Sequence, residues 1–205
     1  DLSMDIYRPN STADTKTDRP VVVYLHTGNF LPAGLNGSPN GLKTDSSAIV
    51  MCTKLAKRGF VAISVDYRLG WNPLAAGPSG PIVRRATLLN AVYRAVQDMK
   101  QNVRAIKGEA AAANTYGIDT TNITLYGEGS GAYVALAYGT LDKDSEMEIP
   151  KFVYPGTTDS SYINQALVGG IDGTGGLINL YLSNGHSTDI QFICNAGGAL
   201  ADTSW

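Results

Sequence analysis

Histidine is scarce in this sequence, two residues in 205, and cysteine is equally rare. The two imidazoles are His26 and His186, and no His/Asp/Glu cluster has metal-ligand spacing, so neither a metal nor another cofactor is expected. Cys52 and Cys194 are too few for a disulfide scaffold; the plain reading is two buried free thiols, with a single bridge as the alternative. Charge is sparse and dispersed, 16 Lys and Arg against 18 Asp and Glu. That leaves no basic patch for a nucleic acid or an anionic membrane surface. No apolar run reaches membrane-spanning length. The opening Asp1-Leu2-Ser3-Met4 lacks the basic and then apolar pattern of a signal peptide and reads as the interior of a longer chain.

What is present fits one domain over residues 1–205, with 43% apolar residues and ordinary charge. Gly, Ser, Thr, Asn and Tyr are abundant relative to Lys and Glu, and sequons stand at Asn10-Ser11-Thr12 and Asn122-Ile123-Thr124. Both features lean toward a secreted or extracellular protein. Leu2, Met4 and Ile6 alternate as a strand does, and Val21-Val22-Val23-Tyr24-Leu25 has no polar face, the mark of a strand buried on both sides of a parallel sheet. A Gly/Pro/Asn-rich loop over 29–43 leads to a helix capped by Asp45 or Ser46, with Ile49, Cys52, Leu55 and Ala56 on its buried face and Gly59 beyond its end. Phe60 to Val65 is the next buried strand.

Leu88, Val92, Ala95, Val96, Met99, Val103 and Ile106 form one stripe on a helix of about 20 residues. A fourth strand, Ile123-Thr124-Leu125-Tyr126, runs into Gly127-Glu128-Gly129-Ser130-Gly131 and a helix of small residues, and the last strand is Ile190 to Cys194. An insertion over 142–187, rich in Gly, Asp and Thr, separates that helix from the last strand. Strands alternating with amphipathic helices predict an α/β fold with a doubly wound, mostly parallel sheet, and chemistry at the carboxyl ends of its strands.

Three stretches in order resemble the carboxylesterase branch of the alpha/beta-hydrolases. Tyr24-Leu25-His26-Thr27-Gly28-Asn29-Phe30 resembles that family's His-Gly-Gly-Gly-Phe oxyanion loop, Val65-Asp66-Tyr67-Arg68-Leu69-Gly70 its Asp-Tyr-Arg-Leu segment, and Asn122 to Gly131 its nucleophile elbow. The resemblance implies hydrolysis of a small carboxylic ester by acyl transfer. It also implies that Thr27 and Asn29 replace two loop glycines and that His26 organises the loop. Small residues two before and two after the nucleophile frame it, so Gly127 and Gly131 place Gly129 where the serine belongs. A frame shifted by one makes Ser130 the nucleophile, with Glu128 and Ala132 as flanks; the plain alternative for Ser130 is a cap on its helix.

The family's histidine and acid normally follow later strands, so the sheet reads as truncated before its last strands. Asp202 follows a strand at the catalytic edge and is a candidate acid, with turn formation as its plain role. His186 lies four residues before the last strand and reads as a surface-loop residue far from the elbow. Asp66 reads as structural, Tyr133 and Tyr138 as packing residues, and Trp71 as a rim residue of a pocket. Two readings follow: an esterase acting through Ser130, or a noncatalytic relative serving as a binding or scaffolding module. In either, an additional chain segment or a protein partner is expected to cover the open edge of the last strand.

Overall fold

The apolar runs assemble into one five-stranded sheet in a computed structural model that describes residues 2–10, 12–157, 160–178, 181 and 183–203. Ser11 of the first sequon and the terminal Ser204-Trp205 lie outside the described residues. The strands β1 (Met4–Tyr7), β2 (Arg19–Leu25), β3 (Val61–Val65), β4 (Ile118–Glu128) and β5 (Phe192–Ala196) lie in the order β1-β3-β2-β4-β5. Only β1 runs antiparallel to its neighbour; the other pairings are parallel. This is the doubly wound, mostly parallel sheet that the alternation of strands and helices predicts.

Helices cover both faces, which is why the central strands carry no polar side. Val21, Val23, Leu25, Ile63, Val65 and Leu125 belong to a core shared with α2 (Gly80–Ala112) and α3 (Ser130–Thr140). Tyr24 and Ala62 point to the other face, against Ala48 and Cys52 of α1 (Ser46–Ala56).

Five local expectations are corrected. α2 spans 33 residues rather than about 20, because its buried surface includes polar side chains that a hydrophobic stripe does not count. Gln97 Nε2 donates to Val168 O and Gly170 O, both at 2.8 Å, Arg104 to Asp172 O at 2.9 Å, and Tyr93 to Gly169 O at 3.1 Å. These bonds hold the insertion onto α2 by satisfying its loop carbonyls, which burial would otherwise leave unpaired. The insertion contains two short 3₁₀ turns, Asp144–Met147 and Pro150–Phe152, and α4 (Gln165–Val168), whose N-cap Asn164 accepts from Leu167 N–H. Its residues 179, 180 and 182 lie outside the described set.

The last strand begins at Phe192 rather than Ile190, since Gln191 is still spent on Ile123, exchanging both a backbone and a side-chain bond with it. Ile49 is 42% exposed rather than buried, and the Asp45 carboxylate accepts from Gly41 and Leu42 N–H instead of capping α1. Of the two free thiols only Cys52 is buried, and burial pushes it up to about 12; Cys194 is exposed on β5. β5 is exposed along most of its length, with Phe192 at 61%. Among the described residues no helix is long and apolar enough to cross a membrane, and no group of three His, Cys, Asp or Glu could hold a metal ion.

Candidate functional site

β2 and β4 end side by side, Leu25 paired with Gly127, so the loops that follow them meet at the carboxyl edge of the sheet. The approach is too close for side chains. A Cβ on Gly131 would overlap Leu25 O and stand 2.7 Å from His26 O, and one on Gly127 would stand 2.5 Å from Ala132 Cα. Between them Gly129, the N-cap of α3, has φ 53° and ψ −118°, a conformation that strains any residue with a Cβ. Its N–H donates to Ala196 O at 2.9 Å, which ties the turn to the end of β5. A Cβ built there would overlap Thr27 Oγ1 and lie 3.0 Å from Thr27 Cβ.

Ser130 is buried, 5% exposed, and makes no capping bond to its helix, which corrects the plain expectation for it. Its hydroxyl turns toward the His26–Phe30 loop, where it accepts from Asn29 N–H at 3.0 Å and lies 3.4 Å from the Tyr67 hydroxyl. Asn29 and Phe30 both hold positive φ, 56° and 57°, and this is what aims the Asn29 N–H at Ser130. Tyr67 in turn donates to His26 O at 2.6 Å, fastening the loop to β3's exit.

His26 is 1% exposed and stacks on Tyr67 with ring centroids 4.4 Å apart. Its Nδ1–H donates to Thr27 O at 2.5 Å, and its Nε2 stands 3.8 Å from Asp66. Burial holds this imidazole below its ordinary pKa, so it is neutral where a free histidine would begin to charge. The sign of the linkage follows. The unfolded chain takes up a proton below pH ~6.5 that the folded chain refuses, so His26 contributes stability above that pH and loses it as the pH falls. The urea midpoint is therefore expected to drop between pH 7.5 and 5.5, and His26→Gln is expected to flatten that slope; an unchanged slope in the variant contradicts this role.

The other candidates lie apart. Asp66 accepts from Ser3 Oγ and from Lys43 N–H, which pins the loop after β3. Asp202 is paired with Lys151 at 2.6 Å. His186 packs against Gly108 of α2 and shares a surface hollow with Thr17, Asp18 and Ile118, at the opposite edge of the sheet from Gly129. Tyr138 is buried and donates to Thr188 O, whereas Tyr133 is 42% exposed.

Gly129, Ser130 and Asn29 form one wall of an open cavity of about 480 Å³, bounded by α2, α3 and the insertion, with Trp71, Val92 and Phe152 among its apolar lining. Among the described residues, no charged side chain lines it. Gly70 and Trp71 N–H both donate to Phe30 O at 2.9 Å, which sets the indole beside the loop. Tyr67, which holds Ser130 and His26 together, lies inside the Asp-Tyr-Arg-Leu segment, but nothing in the sequence alone marks it as a site residue.

No protein-family model matches the chain. Among curated proteins it is 26% identical over 132 residues to a neuroligin-like protein of Caenorhabditis elegans, glit-1, covering 64% of this chain and 15% of that one. A propionate-bound structure of the thermophilic esterase Est2 of Thermogutta terrifontis is 25% identical with a TM-score of 0.45, over 80% of this chain and 47% of that one. The bifunctional GH43-CE protein of Bacteroides eggerthii matches 95% of this chain and 18% of its own, at 19% identity and a TM-score of 0.54. The chain thus spans less than half the length of each of these relatives. The sheet order and the likeness to the Bacteroides eggerthii protein show an alpha/beta-hydrolase fold, and the three motifs in order resemble those of the carboxylesterase type.

Proposed function

We propose that this chain is a noncatalytic member of the fold that keeps the site's framework as a binding module. Gly129 stands where a serine nucleophile belongs, and the observation that carries the reading is that Thr27 occupies the space a side chain at 129 would need. A vacated nucleophile position with its space refilled is a stable rearrangement. It is not an active site awaiting one atom. The His26–Phe30 loop supports the same reading. In an esterase its N–H groups would point at a developing oxyanion, but here the Asn29 N–H is engaged by the Ser130 hydroxyl.

A second reading has one observation in its favour: Ser130 lines the cavity, so its hydroxyl could meet a small ester there. Against it, the partners of that hydroxyl among the described residues are an amide and a phenol, not an imidazole. The phenol is no base, since burial raises the pKa of Tyr67. The test is hydrolysis of a short-chain chromogenic ester by the protein beside Ser130→Ala. The expected result is no turnover above the uncatalysed rate in either; turnover that disappears in Ser130→Ala would establish the esterase.

An extracellular setting belongs to the same proposal, supported by exposure of both sequon asparagines, Asn10 and Asn122. So does a further strand, from additional chain or a protein partner, along the exposed β5 edge.

A further inference from the structure

Resting on the extracellular setting proposed above, we infer that Asn10 and Asn122 are both N-glycosylated, and that their glycans stand at one pole of the molecule, the edge of the sheet opposite the Gly129 turn. The sequence supplies the acceptor triplets, Asn10-Ser11-Thr12 and Asn122-Ile123-Thr124. The fold decides where their amides lie and whether they can be reached. β1 runs against β3, with Tyr7 opposite Ala62 at the start of that strand, so the chain leaves β1 toward the edge where the parallel strands begin. Asn10 follows shortly after. Asn122 immediately precedes Ile123, which pairs with Val21 near the start of β2, and so lies at the same edge. Gly129 lies past the other end of β4, roughly 20 Å away along the strand.

Both asparagines are exposed. Asn10 opens a turn: its carbonyl accepts from Ala13 and Asp14 N–H, and its Oδ1 accepts from Thr12 N–H at 2.9 Å. Those bonds use the oxygens and leave Nδ2 with no partner among the described residues. Asn122 Nδ2 donates to Asp119 Oδ2 at 2.6 Å. A carboxamide nitrogen carries two hydrogens, so that bond survives when a sugar replaces one of them. Burial that would exclude a large polar substituent begins only at the next residue, Ile123, which is 0% exposed. The transfer is a substitution at the anomeric carbon of a polyprenyl-diphosphate-linked oligosaccharide. A bond forms from Nδ2 to that carbon as the carbon–oxygen bond to the diphosphate breaks. The diphosphate leaves with the electron pair, and Nδ2 loses one proton to a base of the transferase. Two bulky, solvated glycans at one pole keep protein partners from it, which leaves the edge carrying Gly129 and Asn29 free for binding.

The full-length protein with an added secretion signal, made in a cultured animal cell line, is treated with peptide N-glycosidase in heavy-oxygen water, and its peptides are mapped by mass spectrometry. Material from the medium and from the cells is mapped alike. The expected result is conversion of both Asn10 and Asn122 to labelled aspartate, with Asn10→Gln and Asn122→Gln each running faster on a gel by one glycan. Thr12→Ala, which keeps Asn10 and removes the third residue of its triplet, is expected to match Asn10→Gln. Either asparagine left unconverted would overturn the proposal. The added signal imposes entry to the secretory route, so this result is separate from the extracellular reading, which fails instead if the protein with its own sequence alone stays inside its own cells without glycan.

Discussion

Gly129→Ser is expected to destabilise the protein by about 2–6 kcal/mol, and much of that loss is expected to return when Thr27→Gly is added. Two costs combine in the single variant. A Cβ at φ 53°, ψ −118° carries strain of roughly 1–3 kcal/mol, and its overlap with Thr27 adds overpacking of roughly 1–3 kcal/mol. Only the second cost depends on Thr27. A double-mutant cycle by urea denaturation should therefore give a coupling of about 1–3 kcal/mol, with the strain remaining in the double variant. Additivity within about 0.5 kcal/mol would show that Thr27 does not fill the space beside Gly129. The His26 imidazole beside this turn is buried with its Nδ1–H spent on Thr27 O, so the double variant is expected to regain stability without hydrolysis.

Arg68→Ala is expected to cost about 3–5 kcal/mol, since it leaves Asp98 buried without its cation. Asp98 has a fully buried side chain and takes three bonds from one residue: Arg68 N–H at 2.7 Å and Arg68 Nε at 2.8 and 3.0 Å. Burial pushes the Asp98 carboxyl above its ordinary range even beside that guanidinium. The pair ties the segment after β3 to the middle of α2, and so positions Tyr67, the neighbour that holds the Ser130 hydroxyl. Replacing both charges, as Arg68→Met with Asp98→Leu, is expected to recover most of the loss. A chemical-denaturation loss below about 1 kcal/mol for Arg68→Ala would mean that Asp98 finds another partner or water.

The sheet was legible because its buried strands have no polar face and its helices carry apolar stripes. The turn was legible because the close approach of β2 and β4 admits no side chain at 127 or 131, leaving a spaced glycine pattern in the sequence. Less visible were features that depend on partners distant in the chain. The polar positions of α2 look like a solvated face until the carbonyls of the insertion arrive to meet Gln97 and Arg104. Ser130 reads as a helix cap by position alone; its actual partner, Asn29, is 101 residues away and is aimed by a left-handed backbone that no composition signal marks. Thr27 reads as a mere departure from a glycine loop, and its meaning emerges only when its side chain is found over Gly129. Ile49 fits the apolar spacing of α1 but lies outside the face that packs on Tyr24 and Ala62, a rotation that spacing over three turns does not resolve.

The most direct measurement is the mass of the intact protein after exposure to a serine-reactive phosphonate, followed by peptide mapping. The account predicts no adduct, because position 129 has no side chain and the Ser130 hydroxyl is held by Asn29 and Tyr67 without a base. An adduct on Ser130, absent in Ser130→Ala, would contradict it and establish a nucleophile displaced by one residue.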